Sequence, residues 1–168
     1  KVNLQLDDNF VDLVAAGIDV AFRVGELKDS RLVARRIGTA HRATLASPAY
    51  LARHGEPQHP DDLLAHNCLV YTGLASFNEW GFLDGQNQTH SVCVGGNFES
   101  NSSEAIRQAA CEGLGISYST LWIYGEDIRA GRVKPILTRF RAHPLPLNVV
   151  FQPARRPSRS SGPRRRSR

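Results

Sequence analysis

The stretch FVDLVAAGIDVAFRVG, residues 10–25, changes its hydrophobic period in the middle. Apolar residues fall first at helical spacing and then at every second position, as in a strand. The helical positions are Phe10, Leu13 and Val14, and the strand positions are Ile18, Val20 and Phe22. Gly17 lies at the change and can supply the left-handed conformation that often ends a helix. The stretch therefore predicts a short helix, a turn and a mostly buried strand.

A second alternation precedes this stretch. Val2, Leu4 and Leu6 occupy every second position, so the first 23 residues predict a parallel, right-handed strand–helix–strand unit. Arg23 ends the second strand of that unit. Because the carboxyl ends of strands face the ligand crevice in an open α/β sheet, Arg23 is a candidate contact for an anion.

Length and composition indicate an ordinary globular protein. The 168 residues suffice for one domain or for two small lobes, and they are 41% hydrophobic and 22% charged. No apolar run approaches the roughly 18 residues that a membrane helix needs. The chain begins with Lys1 and contains no methionine, so we interpret it as a fragment or a processed chain.

The positive charge is concentrated at one end. The net charge is +5, yet residues 154–168 carry seven arginines and no acid, which leaves 14 basic against 16 acidic residues elsewhere. The tail is rich in Arg, Pro and Ser and is predicted to be disordered. Nucleic-acid binding by this tail stays open as an alternative hypothesis.

Cysteine and histidine spacing argues against metal, cofactor and redox sites. Cys68, Cys93 and Cys111 are far apart, which predicts reduced, buried thiols in a cytosolic protein, with a redox-sensing pair as the alternative. The six histidines include no H-E-x-x-H pattern. A nucleophile elbow, a P-loop and a dinucleotide-binding motif are also missing from the sequence, so we predict a protein that is not an enzyme.

The middle of the chain predicts a mixture of strands and short helices. Ser47 and Pro48 open a helix that ends at Gly55. The other predicted elements are strands at 32–37 and 42–46 broken near Gly38, a helical turn at 61–64, a strand at 69–71, and an antiparallel pair at 77–82 and 90–94 around a turn at 84–88.

A second strand–helix pattern begins at Val92. A strand is predicted to pass through Gly95 and Gly96 to Phe98, followed by a helix with Asn101 as its N-cap and Glu104 completing a capping box. That helix would bury Ile106, Ala109 and Ala110 and end at Gly113. The elements predicted after it are a strand at 116–119, a helix at 121–130, a strand at 133–137 and a strand at 145–151 that ends at Pro153. Two such units separated by a mixed middle predict two α/β lobes.

Four stretches together resemble the effector-binding domain of LysR-type transcriptional regulators. They are GIDVAFRVGELKDSRLVARRIG (17–38), LASPAYLARHGEPQHPDDLLAHNCL (45–69), EAIRQAACEGLGISY (104–118) and GEDIRAGRVKPIL (125–137). The similarity spans residues 2–153. It implies an α/β fold of the type 2 periplasmic-binding-protein kind, with two α/β lobes joined by two crossing strands and a small effector between them.

The resemblance also implies a division of the chain. Strands near 42–47 and 146–151 would cross between the lobes, so that residues 1–44 and 146–153 form lobe one, residues 45–145 form lobe two, and residues 154–168 form the disordered tail. The family's winged helix-turn-helix and the first strand and helix of lobe one would precede Lys1. Lobe one would then be incomplete and would expose apolar surface. The family usually has a Leu-Pro pair where this chain has Ser119 and Thr120.

Ten residues are candidate effector contacts. The strongest are Asn101, Ser102 and Ser103, because a helix start offers free N–H groups to a carboxylate, although helix capping alone would also explain them. The others are Arg23 and Val24, which resemble the family's contact from lobe one, Thr72, Gly73 and Ser76 in a polar loop after a strand, and Ser119 and Phe151. Trp80 and Trp122 are predicted to be packing residues.

The resulting hypothesis is a cytoplasmic sensory module of a bacterial transcription regulator. A small organic effector, such as a carboxylate, would bind in the interlobe cleft and modulate DNA binding, with no cofactor, no metal and no membrane partner. The family resemblance implies homodimers or tetramers in the full-length protein, which would contact DNA only through a domain that this chain lacks. The alternative is a solute-binding protein of a transport system with the same fold.

Overall fold

Three sheets organise the molecule. The computed structural model describes residues 1–8, 11–27, 33–74, 76 and 78–151. The strands are β1 (Val20–Val24), β2 (Val33–Ala40), β3 (Arg42–Ala46), β4 (Cys68–Tyr71), β5 (Glu79–Leu83), β6 (Thr89–Cys93), β7 (Phe98–Ser100), β8 (Ile116–Thr120), β9 (Lys134–Ile136), β10 (Arg141–Ala142) and β11 (Leu145–Phe151). The helices are α1 (Pro48–His54), α2 (Ser103–Cys111) and α3 (Gly125–Arg129), with a 3-10 helix at Pro60–Ala65.

The largest sheet has five strands in the order β7-β4-β8-β3-β9. β4 runs parallel to β7 and to β8, whereas β3 runs antiparallel to β8 and β9. Alternation along β4 sends Cys68 and Val70 into one apolar cluster and Leu69 into the other. The sheet is therefore covered on both faces, by α2 and Tyr124 on one side and by α1, the 3-10 helix and Trp80 on the other.

Two smaller antiparallel sheets flank it, with the orders β10-β5-β6 and β1-β11-β2. The chain passes from β2 to β3 at His41 and returns from β10 to β11 after Ala142. Eight large apolar residues in the described part of the first forty positions are exposed: Val2, Leu4, Leu6, Val14, Val20, Phe22, Val33 and Ile37. This fits the exposed surface expected for lobe one, while the division into lobes stays a prediction.

The predicted first strand–helix–strand unit is wrong. Residues 1–7 form no strand, and residues 13–17 form a single turn closed by a hydrogen bond from the Ile18 amide to the Leu13 carbonyl (2.9 Å). Gly17 does end that turn in the left-handed region, with φ of 65°. β1 pairs antiparallel with β11 alone and leaves Phe22 70% exposed, because no described element covers that face. Phe10 lies outside the described residues.

The expected break at Gly38 falls elsewhere. β2 runs through Gly38 to Ala40, and the break comes at His41. An irregularity does lie beside Gly38, because Leu147 pairs with Gly38 and Asn148 with Arg36, which leaves Ile37 of β2 as the extra residue of a bulge. Leu32, the predicted start of this strand, lies outside the described residues.

The strand predicted through Gly95 and Gly96 is also wrong. β6 ends at Cys93, and β7 begins at Phe98 in a different sheet. A Cβ at Gly96 would overlap the Cys68 carbonyl oxygen, so glycine allows the chain to cross close to the start of β4. The sequence pattern predicted one continuous strand here, because no apolar residue indicates where β6 ends and β7 begins.

Local helix rules gave mixed results. The start of α1 is confirmed, since the Ser47 hydroxyl accepts a hydrogen bond from the Tyr50 amide and Gly55 follows the helix. The N-cap of α2 is Ser102 and not Asn101, and the Glu104 side chain binds Arg107 instead of completing a capping box. The helix predicted at 121–130 is limited to α3, because residues 121–124 form turns.

Other predicted elements are confirmed with small shifts. The 3-10 helix covers the predicted turn, β5 and β6 form the predicted antiparallel pair, and the buried stripe of α2 ends before Gly113, whose φ is 76°. The expectation of buried thiols holds for Cys68 but is wrong for Cys93, which is exposed, and Cys111 is half-buried. Phe77, Pro153 and the tail 154–168 lie outside the described residues.

Candidate functional site

A cavity of about 890 Å³ lies at the carboxyl ends of the parallel strands β4, β7 and β8. Its wall also includes the N-terminal segment at Leu6 to Asp8, the end of β1, the start of β3 and the start of β11. Strand ends of this kind are where ligands bind in open α/β sheets. The cavity therefore lies where an open α/β sheet would bind a ligand, while its identity as a cleft between two lobes stays a prediction.

The structure brings six of the ten candidate residues to this cavity: Val24, Gly73, Asn101, Ser102, Ser103 and Ser119. The remaining four lie elsewhere. Arg23 donates a hydrogen bond to the Val11 carbonyl, and Ser76 lines a small neighbouring cavity of about 20 Å³. The Thr72 amide donates to the Ser100 carbonyl (2.9 Å), and Phe151 is paired with Val20 and Val33 at the end of β11.

The start of α2 already holds a carboxylate of the chain itself. Asp8 Oδ2 accepts hydrogen bonds from the Ser103 amide (2.7 Å) and from the Ser103 hydroxyl (2.8 Å). The hydroxyl of Ser102 accepts from the Ala105 amide at 3.3 Å. These contacts satisfy donors that a helix start leaves free and place a negative charge at the positive end of the helix.

A chain of ion pairs runs from the cavity wall into the protein. Arg107 binds Glu104 (2.6 Å) and Asp127 (2.6 Å), and Arg132 binds the other oxygen of Asp127 (2.7 Å). Burial alone would raise the pKa of Asp127, but the two guanidinium groups outweigh it and hold that pKa below its ordinary value. The hydrogen bonds from Arg107 likewise lower the pKa of Glu104.

Arg42 supplies positive charge to the opposite side of the cavity. Its Nε donates to the His143 carbonyl oxygen (2.6 Å), and its guanidinium carbon lies 4.3 Å from the centre of the Tyr118 ring. Burial lowers the pKa of Arg42 because it disfavours the charged form, yet an arginine remains charged at neutral pH. Tyr118 in turn stacks on Trp80, with ring centres 5.1 Å apart.

Thr120 lines the same wall, and its hydroxyl is buried. The residue is 7% exposed, and its Oγ1 has no hydrogen-bond partner among the described residues. Buried hydroxyls usually have a partner, because desolvation without one is costly. Thr120 stands where the family usually has proline, and a proline would bring no hydroxyl.

Aromatic side chains complete the cavity. Trp122 is 54% exposed and lines it, so the prediction that Trp122 is a packing residue is wrong, whereas Trp80 is 3% exposed and packs in the core as predicted. Tyr71 also lines the cavity, and its pKa is raised by burial and by the nearby charge of Asp8. A Cβ at Gly73 would overlap the Tyr71 hydroxyl.

Sequence reasoning missed Asp8, Arg42, Thr120 and Tyr118 as site residues. The sequence did show threonine at position 120, where the family usually has proline. Arg42 is the first residue of a predicted strand, and that position alone does not indicate a role in a site. Asp8 gave no local indication, because it meets Ser103 across 95 residues of sequence. Within the described part of the chain, no group of three metal-ligating side chains comes together.

No helix in the described part of the chain has the length and apolar character needed to cross a membrane.

The family model and the similar proteins point to the same family. The LysR substrate binding domain model matches residues 1–161. The chain is 33% identical over 154 residues to the HTH-type transcriptional regulator CrgA of Neisseria meningitidis serogroup C, covering 90% of this chain and 50% of that protein. It is 36% identical over 160 residues to the uncharacterized HTH-type transcriptional regulator YhjC of Escherichia coli K12, covering 95% and 54%.

Solved structures agree. The full-length Vibrio cholerae virulence activator AphB, a member of the LTTR protein family, matches with a TM-score of 0.75 and 28% identity over 90% of this chain and 51% of that one. The CrgA regulatory domain from Neisseria meningitidis matches with a TM-score of 0.71 and 34% identity, over 83% and 68%. These matches confirm the predicted periplasmic-binding-protein-like α/β fold. The chain spans about half the length of the curated relatives, and it belongs to the LysR family of transcriptional regulators, as a substrate-binding domain.

Proposed function

We propose that this effector-binding domain takes a small organic molecule into the 890 Å³ cavity and thereby modulates DNA binding by the regulator that contains it. The observation that supports this is the meeting of Arg42, Ser119, Thr120 and the start of α2 at the carboxyl ends of three parallel strands. The domain performs no reaction on its ligand. It acts in the cytoplasm, as part of a homodimer or tetramer that reaches DNA through a helix-turn-helix domain.

Coupling requires only that the effector bind one arrangement of the lobes better than another. Residues 1–44 and 146–153 would form one lobe and residues 45–145 the other, so that a ligand touching Val24 and Ser119 contacts both. A difference of about 1 to 3 kcal/mol in affinity between the arrangements is typical of such coupling. The candidate contacts Arg23, Thr72, Ser76 and Phe151 lie away from the cavity and would contribute only if the lobes rearrange.

The relatives reported above are regulators, so they give no support to the solute-binding alternative. The two hypotheses also differ in what they require upstream of Lys1. A regulator requires a helix-turn-helix in the same reading frame, and a transport protein requires a secretory signal. Sequencing that region decides between them.

Arg42→Gln tests the cavity directly. A thermal-shift screen of small organic acids should identify compounds that raise the melting temperature of the chain. At a hundredfold excess over Kd, such a compound would raise the free energy of unfolding by about 2.7 kcal/mol. We expect Arg42→Gln to weaken binding of such a compound about tenfold, through the loss of a charge-assisted hydrogen bond. Arg129→Gln, at a residue 73% exposed on α3, is the matched control and should bind normally. Equal binding by both variants would argue against this site.

A further inference from the structure

The chain crosses twice between the three-stranded β1-β11-β2 sheet and the rest of the molecule. It leaves that sheet at His41, where β2 ends and β3 of the five-stranded sheet begins. It returns at residues 143–144, between β10 and β11. Hinges between packed bodies are usually a few residues of this kind at the ends of elements. The geometry at the two crossings therefore sets how these sheets are arranged.

One side chain of the cavity wall joins the two crossings. Arg42, the residue after His41, lines the 890 Å³ cavity, and its Nε donates a hydrogen bond of 2.6 Å to the His143 carbonyl oxygen. A hydrogen bond from a charged donor is stronger than one between neutral groups. The bond joins residues 101 positions apart in sequence, so it ties the first crossing directly to the second.

Tyr118 of β8 contacts both partners of that bond. Its ring faces the guanidinium, with the Arg42 guanidinium carbon 4.3 Å from the ring centre, which is typical of a cation–π contact. Its hydroxyl accepts a hydrogen bond from the His143 amide (3.0 Å) and donates one to the Gly81 carbonyl oxygen. Trp80 stacks on the same ring, at 5.1 Å between ring centres. Tyr118 is therefore fixed in the core and holds Arg42 and His143 in place.

We infer that Arg42, held by Tyr118, is a brace between the two crossings and fixes the arrangement of the β1-β11-β2 sheet relative to the five-stranded sheet. An effector that contacts the Arg42 guanidinium would then act directly on the hinge. That link to the effector rests on the proposed function, whereas the brace itself is a property of the chain without a ligand.

Two spin labels on the full chain measure the arrangement of the sheets. Ala34→Cys places one label on an exposed position of β2, and Glu99→Cys places the other on an exposed position of β7. Cys93→Ser and Cys111→Ser first remove the two cysteines that are not fully buried. Double electron–electron resonance then gives the distribution of distances between the labels in the ligand-free protein. We expect one narrow distribution for this labelled parent chain.

Two substitutions at position 42 separate the brace from the charge. Arg42→Met keeps a stem of similar length but has no donor, so the distance distribution should broaden or shift. Arg42→Gln carries an N–H donor as many bonds from Cα as Nε, so it should keep the parent distribution although the charge is lost. Tyr118→Phe, which removes the hydroxyl bonded to His143, should also broaden it. Arg141→Gln, at an exposed arginine of β10 that binds Asn87, is the matched control and should change nothing.

Circular dichroism and thermal melting check that each variant is folded. A merely structural role for Arg42 would lower the melting temperature of Arg42→Met and leave the distance distribution unchanged, which would overturn the inference. Equal broadening in Arg42→Met and Arg42→Gln, a parent-like distribution in Tyr118→Phe, or a broad distribution in the parent chain would overturn it as well. If Arg42→Met does not fold, Tyr118→Phe gives the same readout.

The test is independent of the proposed function because it uses no ligand. Arg42→Gln should keep the brace and lose affinity for an organic acid, so the two properties are measured separately in one variant. A failed brace leaves the screen of organic acids standing, and a failed screen leaves the distance measurement standing.

Discussion

At Gly73 the absence of a side chain shapes the cavity beside Tyr71. A Cβ at this position would overlap the Tyr71 hydroxyl and ring, so the tyrosine must move when any larger residue is introduced. Tyr71 lines the cavity and its hydroxyl lies 3.5 Å from the Asp8 carbonyl oxygen. A larger residue at position 73 would therefore alter the cavity wall as well as the local fold.

Gly73→Ala should weaken effector binding about tenfold and destabilise the fold by about 1 to 3 kcal/mol, as is usual for overpacking. Titration of the best ligand from the screen and urea unfolding measure the two effects. Gly85→Ala is the control, since a Cβ there would meet nothing within 4 Å. Unchanged affinity in Gly73→Ala would indicate that Tyr71 does not contribute to the site.

Residues of this cavity were only partly predictable from sequence. Asn101, Ser102, Ser103 and Ser119 follow from the rule that helix starts and strand ends face a crevice. Asp8 and Arg42 do not follow from any local rule, because their roles depend on contacts with Ser103 and His143, which are far away in the sequence. Such contacts arise only when separate elements are brought together.

Among the elements, α2 and α3 are joined by the buried carboxylate of Asp127. Its side chain is fully buried between Arg107 and Arg132. The pKa of Asp127 lies below its ordinary value of 3.8, and that of Glu104 lies below 4.5. A lowered folded-state pKa contributes stability that is present above the ordinary value and is lost as the pH falls through the folded value.

We therefore expect the free energy of unfolding to decrease between about pH 5 and pH 2. Asp127→Asn should cost about 3 to 5 kcal/mol at pH 7, because two guanidinium groups lose their buried partner, and it should flatten the acid limb of the profile. Urea unfolding across this pH range measures both. Asp61→Asn, at an exposed carboxylate in the 3-10 helix, should leave the profile nearly unchanged. A wild-type slope retained in Asp127→Asn would contradict this explanation.

Elements with their own end residues were the predictable ones. Ser47 and Gly55 bound α1, and Ile106, Ala109 and Ala110 give α2 its buried face, so both helices are encoded locally. β1 and the N-terminal segment depend on partners, and an apolar alternation does not specify which strand it will pair with. This is why the same pattern predicted a buried parallel strand where the structure has an exposed antiparallel one.

In the whole molecule, burial differs sharply between the sheets. Leu45 of β3 and Ile116 of β8 are fully buried in the five-stranded sheet, whereas Val20 and Phe22 of β1 are 49% and 70% exposed. Local opening is easiest where few apolar contacts are lost.

Amide hydrogen exchange should therefore be slowest in β3, β4 and β8 and much faster in β1, although all of them are hydrogen-bonded strands. Mass spectrometry of peptides from timed exchange measures this order. Comparable protection of β1 and β8 would show that the exposed sheet is covered in solution, for example by self-association, which sedimentation would then detect.

The chain contains two tryptophans, and their surroundings differ. Trp122 is half exposed at the cavity, while Trp80 is buried against Tyr118. A ligand that removes water from the Trp122 indole would move its fluorescence emission toward shorter wavelengths, and Trp80 would supply a constant background. The domain therefore carries its own optical probe of occupancy, and titrations need no added dye.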